Sequence, residues 1–322
     1  MLRINFLITD DCNKSCSFCF HPIKNKNNIL TAKEFSRHLD KIEEIFEKPF
    51  SIGLLGGDPL LNTDLGGMIK LLLSKKIPLC LHTNLLGLNL TNYPILAEAL
   101  SSDLMMLSWN VTEEPRYPWH PIDIGLVDKL FSINRNKISQ SITIKPDYDD
   151  VGAYRFAVDI YKKHGIYLTR LALDTTRHRE FIHNDKAYKV FSYLLDNGLA
   201  VSPDICGYLL RCCLTKDQYK ELNNRMIYKF QYGCIVDRGI PLDILPDGTA
   251  IPCLRFLKYK DPSCNIYEVD SVRELINRTI VSYKLDTRAL IDKERDLKCA
   301  ECKHTLKCRG PCPAQLSQDL NE

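Results

Sequence analysis

The feature that most constrains the fold of this 322-residue chain is an alternation of strand-like and helix-like segments. Short apolar stretches, such as residues 50–55 and 166–173, are each followed by a segment with the apolar period of a helix. The helix predicted over 31–48 also begins with a capping box formed by Thr31 and Glu34. Six such units with short connections predict a parallel α/β fold. The pattern alone leaves open whether the units form a doubly wound sheet or part of a barrel.

The predicted elements end near residue 200. Strands are predicted at residues 3–9, 50–55, 78–83, 103–109, 141–145 and 166–173, and helices at 31–48, 64–74, 93–101, 122–133, 150–164 and 179–198. Residues 234–322 instead combine short strands, turn residues and cysteines. We therefore predict an α/β domain over 1–200, a linking region over 201–230 and a small cysteine-rich domain organised around metal over 231–322.

The composition limits the classes of partner and compartment. The net charge is only +3 and no basic run is present, so no nucleic-acid partner is expected. The longest apolar stretches are far shorter than a membrane span, and the N-terminus turns acidic too early for a signal peptide. The sequence thus favours a cytoplasmic protein with no membrane partner. In a reducing compartment, 14 cysteines clustered at the two ends of the chain indicate metal or redox chemistry.

Three cysteines follow the first strand directly, at Cys12, Cys16 and Cys19, with the spacing C-x3-C-x2-C. This position is at the carboxyl end of a parallel strand, where α/β folds bind their ligands. Three thiolates would leave one iron of a four-iron cube open to a further ligand. The alternative is a zinc site that borrows His21 as its fourth ligand.

This motif, with the aromatic Phe18 just before its last cysteine, resembles the radical S-adenosylmethionine (SAM) enzymes. The resemblance implies that the three cysteines hold a 4Fe–4S cluster whose open iron binds the amine and carboxylate of SAM. One electron from the cluster would cleave SAM, and the resulting 5′-deoxyadenosyl radical would abstract hydrogen from a substrate. The resemblance also implies a partial (β/α)6 barrel of the TIM type.

The same resemblance assigns candidate SAM contacts after the later strands. Residues 56–59, Gly56, Gly57, Asp58 and Pro59, match the family's Gly-Gly-Glu-Pro with aspartate in place of glutamate. The glycines would let the backbone approach the ligand, and polar atoms there would bind the methionine amine. Further contacts are implied at Phe20 for adenine, at Thr83 and Asn84 after strand three, at Ser108 or Asn110 on strand four, and at Lys145 on strand five.

The C-terminal cysteines resemble the SPASM extension of radical SAM enzymes, which carries two auxiliary 4Fe–4S clusters. The resemblance assigns the first auxiliary cluster to Cys234, Cys253 and Cys312, and the second to Cys299, Cys302 and Cys308. The family's final cysteine is missing. The fourth positions could be open, or filled by Cys206, Cys212 or Cys213 in the first cluster and by Cys264, Asp319 or Glu322 in the second. A zinc ribbon is the alternative for this part of the chain.

The resemblance predicts an enzyme that oxidatively modifies a peptide, for example one made on the ribosome, by cross-linking, epimerisation or side-chain oxidation. It would take electrons from a donor such as flavodoxin or ferredoxin. No leader-recognition domain is expected before the first strand, and Asp237, Arg238 and Asp243 are unranked candidates for proton transfer or substrate binding. One alternative is a radical SAM dehydrogenase or oxidase of a small metabolite. Another is a non-enzymatic iron–sulfur or zinc protein that carries electrons or senses redox state.

Overall fold

The core of the molecule is one sheet of ten strands with helices packed against one of its faces. The computed structural model describes residues 2–19, 28–46, 50–111, 124–147, 151–174, 185–203, 213–227, 241–254 and 263–281. The strand order in the sheet is β10-β9-β8-β1-β2-β3-β4-β5-β6-β7. The strands are β1 (Leu2–Leu7), β2 (Phe50–Leu55), β3 (Leu79–Thr83), β4 (Met105–Asn110), β5 (Ile138–Ile144), β6 (Leu168–Leu173), β7 (Ala200–Pro203), β8 (Pro241–Ile244), β9 (Thr249–Ile251) and β10 (Cys264–Asn265).

Helices connect the parallel strands, as expected for crossover connections. The helices are α1 (Ala32–Ile45), α2 (Leu65–Ser74), α3 (Tyr93–Ser101), α4 (Ile124–Ile133), α5 (Arg155–His164), α6 (Lys186–Asp196), α7 (Lys216–Arg225) and α8 (Val272–Ile276). Strands β1 to β7 pair in parallel in chain order, and β8 pairs in parallel with β1 on its other side. The sheet is therefore that of a partial (β/α) barrel, which confirms the predicted fold class.

The two faces of the sheet differ in polarity because successive side chains of a strand point in opposite directions. In β1, Ile4 and Phe6 are buried in one apolar core with the α1 residues Phe35 and Leu39. Asn5 lies between them on the opposite face. The helix face thus supplies the burial that stabilises the fold, and the other face, called here the inner face, is available for polar groups.

The capping box predicted for the first helix is present in the structure. The Thr31 hydroxyl accepts from the Glu34 N–H, and the Glu34 carboxylate accepts from the Thr31 N–H. Residues 50–55 and 93–101 agree at both ends with the predicted limits. The helix predicted over 150–164 begins as a 3-10 turn and becomes α5 only at Arg155, and of the helix predicted over 179–198 the described part is α6.

Two features after residue 199 differ from the sequence prediction. Strand β7 continues the parallel alternation beyond the point where it was expected to stop, and the predicted linking region contains α7. The hairpin of β8 and β9 also joins the main sheet through β1. Both were missed because β7 and β8 have only four residues each, too few to show a period. The division into domains remains a prediction.

Within the described residues, none of the helices has the length and apolar character required to cross a membrane.

Candidate functional site

The loop that carries the first three cysteines is closed at its base by a network of hydrogen bonds. Thr9 forms an antiparallel bridge with Ile29, and the Asp10 N–H donates to the Asn28 carbonyl at 3.1 Å. The Asn28 amide donates in turn to the Asp10 carboxylate at 2.7 Å. The buried Asn62 amide donates to a carbonyl on each arm of the loop. The cysteines therefore follow a fixed point at the carboxyl end of β1.

The three thiols lie along this loop with different exposure. Cys12 and Cys16 are half-buried and Cys19 is exposed. A turn closed by the Cys19 N–H, which donates to the Cys16 carbonyl at 3.1 Å, sets the spacing of the last two. Within the described residues, no three Cys, His, Asp or Glu side chains are gathered so as to hold a single metal ion.

The two glycines after β2 contact the backbone of the cysteine loop. The Gly57 N–H donates to the Thr9 carbonyl at 2.8 Å, and the Asp58 N–H donates to the Asp11 carbonyl at 2.7 Å. A Cβ on Gly57 would lie 2.1 Å from the Asp11 oxygen, and one on Gly56 would lie 2.3 Å from the Thr9 oxygen. The glycines are thus required for the close approach of the loop. Their predicted contact with SAM remains a prediction.

The carboxylate of Asp58 is fully buried and accepts three hydrogen bonds. The donors are the Leu60 N–H at 2.9 Å, the Thr83 hydroxyl at 2.8 Å and the Asn84 N–H at 2.9 Å. Burial raises the pKa of Asp58 to about 6, and the three hydrogen bonds oppose that rise. Asp58 also caps a short 3-10 helix whose first residue is the buried Pro59. The predicted residues Asp58, Thr83 and Asn84 are therefore in contact with one another.

Asn84 connects this group to the cysteine loop. Its amide nitrogen donates to the Asn13 amide oxygen at 2.8 Å, and its own amide oxygen accepts from the Leu86 N–H at 2.8 Å. Asn13 lies between the first two cysteines and was not singled out from the sequence. The feature of the sequence that could have indicated Asn13 is its position within the cysteine motif.

The residues predicted on strands four and five lie at the same edge of the sheet. The Lys145 ammonium lies 5.7 Å from the centre of the Phe18 ring, so the end of β5 meets the cysteine loop. The buried Ser108 hydroxyl accepts from the Arg170 guanidinium at 3.1 Å. Asn110 is exposed at the end of β4. Arg170, in the middle of β6, was also missed, although a charged residue within an apolar strand pattern indicates an inner-face position.

His82, on β3, lies close to Arg170 and Arg3. Burial, together with the positive charges of Arg170 and Arg3, holds the pKa of His82 well below its usual value. His82 is therefore neutral at pH 7.

A second buried carboxylate, Asp243, lies on β8 near a predicted auxiliary ligand. Its oxygens accept from the Asn5 amide at 2.6 Å and from the Leu254 N–H at 2.7 Å. Leu254 directly follows Cys253, which is half-buried. Burial raises the pKa of Asp243 to about 6, opposed by these two hydrogen bonds. A Cβ on Gly53 would lie 2.1 Å from the Asn5 amide oxygen, so the glycine provides space for this pair.

Several predicted residues lie outside the described part of the chain. They are Phe20, His21, Cys206, Cys212, Cys234, Asp237, Arg238, Cys299, Cys302, Cys308, Cys312, Asp319 and Glu322. Of the other cysteines considered as auxiliary ligands, Cys213 is buried before α7 and Cys264 is buried on β10. Burial raises the pKa of the Cys264 thiol.

Comparison with known proteins identifies the N-terminal part of the chain. The sequence profile of the Radical SAM superfamily matches residues 6–111. No curated protein matches by sequence. This span includes the cysteine loop, the two glycines and the Asp58 group.

Three solved structures share the fold. Streptococcus suis SuiB bound to precursor peptide SuiA is 17% identical with a TM-score of 0.66, covering 98% of this chain and 73% of that one. SuiB bound to S-adenosylmethionine has the same identity and TM-score over 98% and 74%. The structure of anSMEcpe with bound AdoMet and Cp18Cys peptide is 14% identical with a TM-score of 0.63 over 96% and 89%. The likeness extends well beyond the matched residues 6–111.

The family of the matched region implies a 4Fe–4S cluster and SAM as cofactors. The donor set fits them, because three thiols at the carboxyl edge leave one iron of a cube for SAM. The recognition of a radical SAM domain is thereby confirmed for residues 6–111, and the SPASM resemblance of the C-terminal cysteines remains a prediction.

Proposed function

We propose that this chain is a radical SAM enzyme that oxidatively modifies a peptide. The observation that carries the proposal is the three-cysteine loop, held at the carboxyl edge of the barrel by Gly56 and Gly57. The cofactors, when bound, supply a 5′-deoxyadenosyl radical that abstracts hydrogen. The protein must hold the cluster on three cysteines, orient SAM beside it and present the substrate on the inner face.

The inner face supports a polar, extended substrate. Ser141 and Thr143 are half-buried on the inner face of β5, beyond the buried pair of Ser108 and Ser139. Each hydroxyl can both donate and accept a hydrogen bond, which suits the alternating N–H and C=O groups of a peptide. Two of the structures that share this fold contain bound peptides, SuiA and Cp18Cys, and this likeness favours the same substrate class here.

Net oxidation of a peptide requires an acceptor for the electron left on the substrate. We propose that auxiliary 4Fe–4S clusters in a SPASM-like C-terminal region, with Cys253 among their ligands, take this role. Cys253 lies two residues after β9, the strand that follows β8, and β8 is paired with β1, the strand that leads into the cysteine loop. An external flavodoxin or ferredoxin would then reduce the SAM-binding cluster.

The central test is SAM cleavage by the anaerobically reconstituted protein with dithionite as reductant. We expect 5′-deoxyadenosine and methionine from the wild type and none from Cys16→Ala. The matched control is Cys80→Ala, which removes a buried cysteine outside the loop. Product from Cys16→Ala would show that the cysteine loop is not the site of SAM cleavage, whereas no product from the wild type would favour the electron-carrier alternative.

A second measurement tests the auxiliary clusters. We expect the iron and sulfide content to fall in a Cys234→Ala/Cys299→Ala variant while the SAM-binding cluster remains. An unchanged iron content would contradict the auxiliary assignment.

The substrate class is tested first by searching the neighbouring genes for a short reading frame. Any peptide that it encodes is then synthesised in deuterated form and offered to the protein. Transfer of deuterium from the peptide to 5′-deoxyadenosine is expected. If deuterium is transferred only from a small metabolite, the metabolite alternative is correct and the peptide proposal is wrong.

A further inference from the structure

Asp58 takes the place of the glutamate in the family pattern, and its carboxylate is buried within the protein. Its carboxylate is 0% exposed, and its two oxygens accept from one hydroxyl and two backbone N–H groups. Aspartate is one methylene shorter than glutamate, so its carboxylate stays closer to its own backbone. A buried carboxylate with three donors from the protein is positioned to support structure rather than to reach a ligand.

The hydrogen bonds of Asp58 lead to the cysteine loop through one intermediate residue. Asp58 fixes the backbone of Asn84, the Leu86 N–H fixes the Asn84 amide oxygen, and the remaining amide nitrogen donates to Asn13. Because both sides of the Asn84 amide are engaged, its orientation is defined. The Asp58 N–H donates to the Asp11 carbonyl as well, so the loop is held on both sides of Cys12.

We propose that Asp58, Asn84 and Asn13 form a brace that positions the cysteine loop, and that Asp58 and Asn13 act on SAM binding only through this brace. This inference rests on the proposed function and adds two positioning residues to it. Asn13 has no counterpart among the residues matched to the family pattern. Removing its amide oxygen leaves the Asn84 amide nitrogen without this acceptor. It also removes the described hydrogen bond of the Asn13 side chain, next to Cys12.

The experiment measures SAM binding and the cluster separately in the reconstituted full chain. SAM affinity is read from the change that SAM causes in the electron paramagnetic resonance spectrum of the reduced cluster. The state of the cluster itself is read from the spectrum without SAM and from the iron content. The iron content is compared with that of a variant lacking all three loop cysteines. Asn13→Ala is expected to bind SAM about tenfold more weakly and to alter the spectrum without SAM, as loss of an outer hydrogen bond to a metal site does.

Two further variants separate this role from a general loss of structure. Asn13→Asp keeps an acceptor for the Asn84 amide and is expected to bind SAM within about threefold of the wild type, well below the loss expected in Asn13→Ala. Asn89→Ala is the matched control, because Asn89 makes its described hydrogen bonds only within its own loop after β3. It should leave both readouts unchanged.

A double variant tests whether Asp58 and Asn13 act together. They share no hydrogen bond among the described residues, and Asp58→Asn keeps the backbone N–H that bonds to the Asp11 carbonyl, so coupling between the two side chains is expected to pass through Asn84. We expect Asp58→Asn/Asn13→Ala to weaken SAM binding no more than the worse single variant, whereas independent contacts would multiply their effects. Multiplied effects, or an Asn13→Ala variant that matches the wild type, would overturn the brace. A wild type that does not bind SAM would instead overturn the proposed function.

Discussion

The two buried aspartates, Asp58 after β2 and Asp243 within β8, have the same shift in pKa but are held differently. Burial raises the pKa of Asp58 and of Asp243 to about 6 in each case. Asp58 accepts three hydrogen bonds, all from residues after β2 and β3. Asp243 accepts two, and one of them joins it to Asn5, 238 positions away in the chain. Asp58 is therefore held by donors that are near it in the chain. Asp243 depends on the pairing of β8 with β1, two strands that are far apart in the sequence.

The glycines beside the two aspartates differ in the same way. Gly57 touches backbone atoms of the cysteine loop, whose position is fixed by the sheet and by the base of the loop. The three atoms nearest to a Cβ on Gly53 all belong to the side chain of Asn5, whose amide oxygen has no hydrogen-bond partner among the described residues. A collision with backbone cannot be relieved locally, but a side chain can rotate. The SAM-binding side should therefore tolerate less change than the contact between β1 and β8.

The largest effect is expected for Gly57→Ala. Its Cβ would lie 2.1 Å from the Asp11 oxygen and 2.8 Å from the Asp10 oxygen, so the cysteine loop would have to move. We expect loss of the SAM-binding cluster, measured as a fall of about four iron atoms per chain after reconstitution. The control is Gly66→Ala in α2, where the nearest atom to the new Cβ lies 3.9 Å away. A full complement of iron in Gly57→Ala would contradict the close contact described here.

The sequence predicted the parts of this region that follow from local pattern. The strands and helices up to residue 173 appear in the apolar periodicity because each buries one face in the same core. The cysteine loop and the Gly56–Gly57 pair were predicted because a short motif at the end of a strand is local in sequence. The contact between Asp58, Thr83 and Asn84 follows from the adjacency of β2 and β3.

The parts that could not be predicted depend on contacts between distant segments. The pairing of β8 with β1 places Asp243 beside Asn5, and no period within either segment indicates that partner. Asn13 has a role only because its loop lies against the residue after β3. Such pairings arise from the order of strands in the sheet, which a pattern within one segment does not contain.

The second effect concerns pH. Because the pKa of Asp243 rises from 3.8 to about 6 on folding, the folded chain binds this proton more tightly than the unfolded chain does. The free energy of unfolding therefore falls by about 3 kcal/mol at this site as the pH rises from about 4 to about 6. Above that range it is level. Asp58 adds a change of the same sign.

Asp243→Asn isolates the contribution of one site. The Asn5 amide can turn to offer its oxygen to the new amide, so the variant should fold. Between pH 5 and 7.5, urea unfolding of the wild type is expected to lose about 1 kcal/mol more stability than the variant does. Parallel pH profiles for the two proteins would show that Asp243 titrates normally. Asp58→Asn should be more damaging, because its three donors leave no place for an NH2 group.

The smallest effect is expected for Gly53→Ala. The new Cβ would lie 2.1 Å from the Asn5 amide oxygen, and rotation of Asn5 would relieve the collision but break its hydrogen bond to Asp243. We expect a loss of about 1–3 kcal/mol in the free energy of unfolding, with the SAM-binding cluster retained. Asn5→Ala breaks the same hydrogen bond without a collision. The double variant Gly53→Ala/Asn5→Ala should therefore be no less stable than Asn5→Ala alone. If the two losses add, the glycine contacts something other than Asn5, and the β1–β8 contact is as rigid as the SAM-binding side.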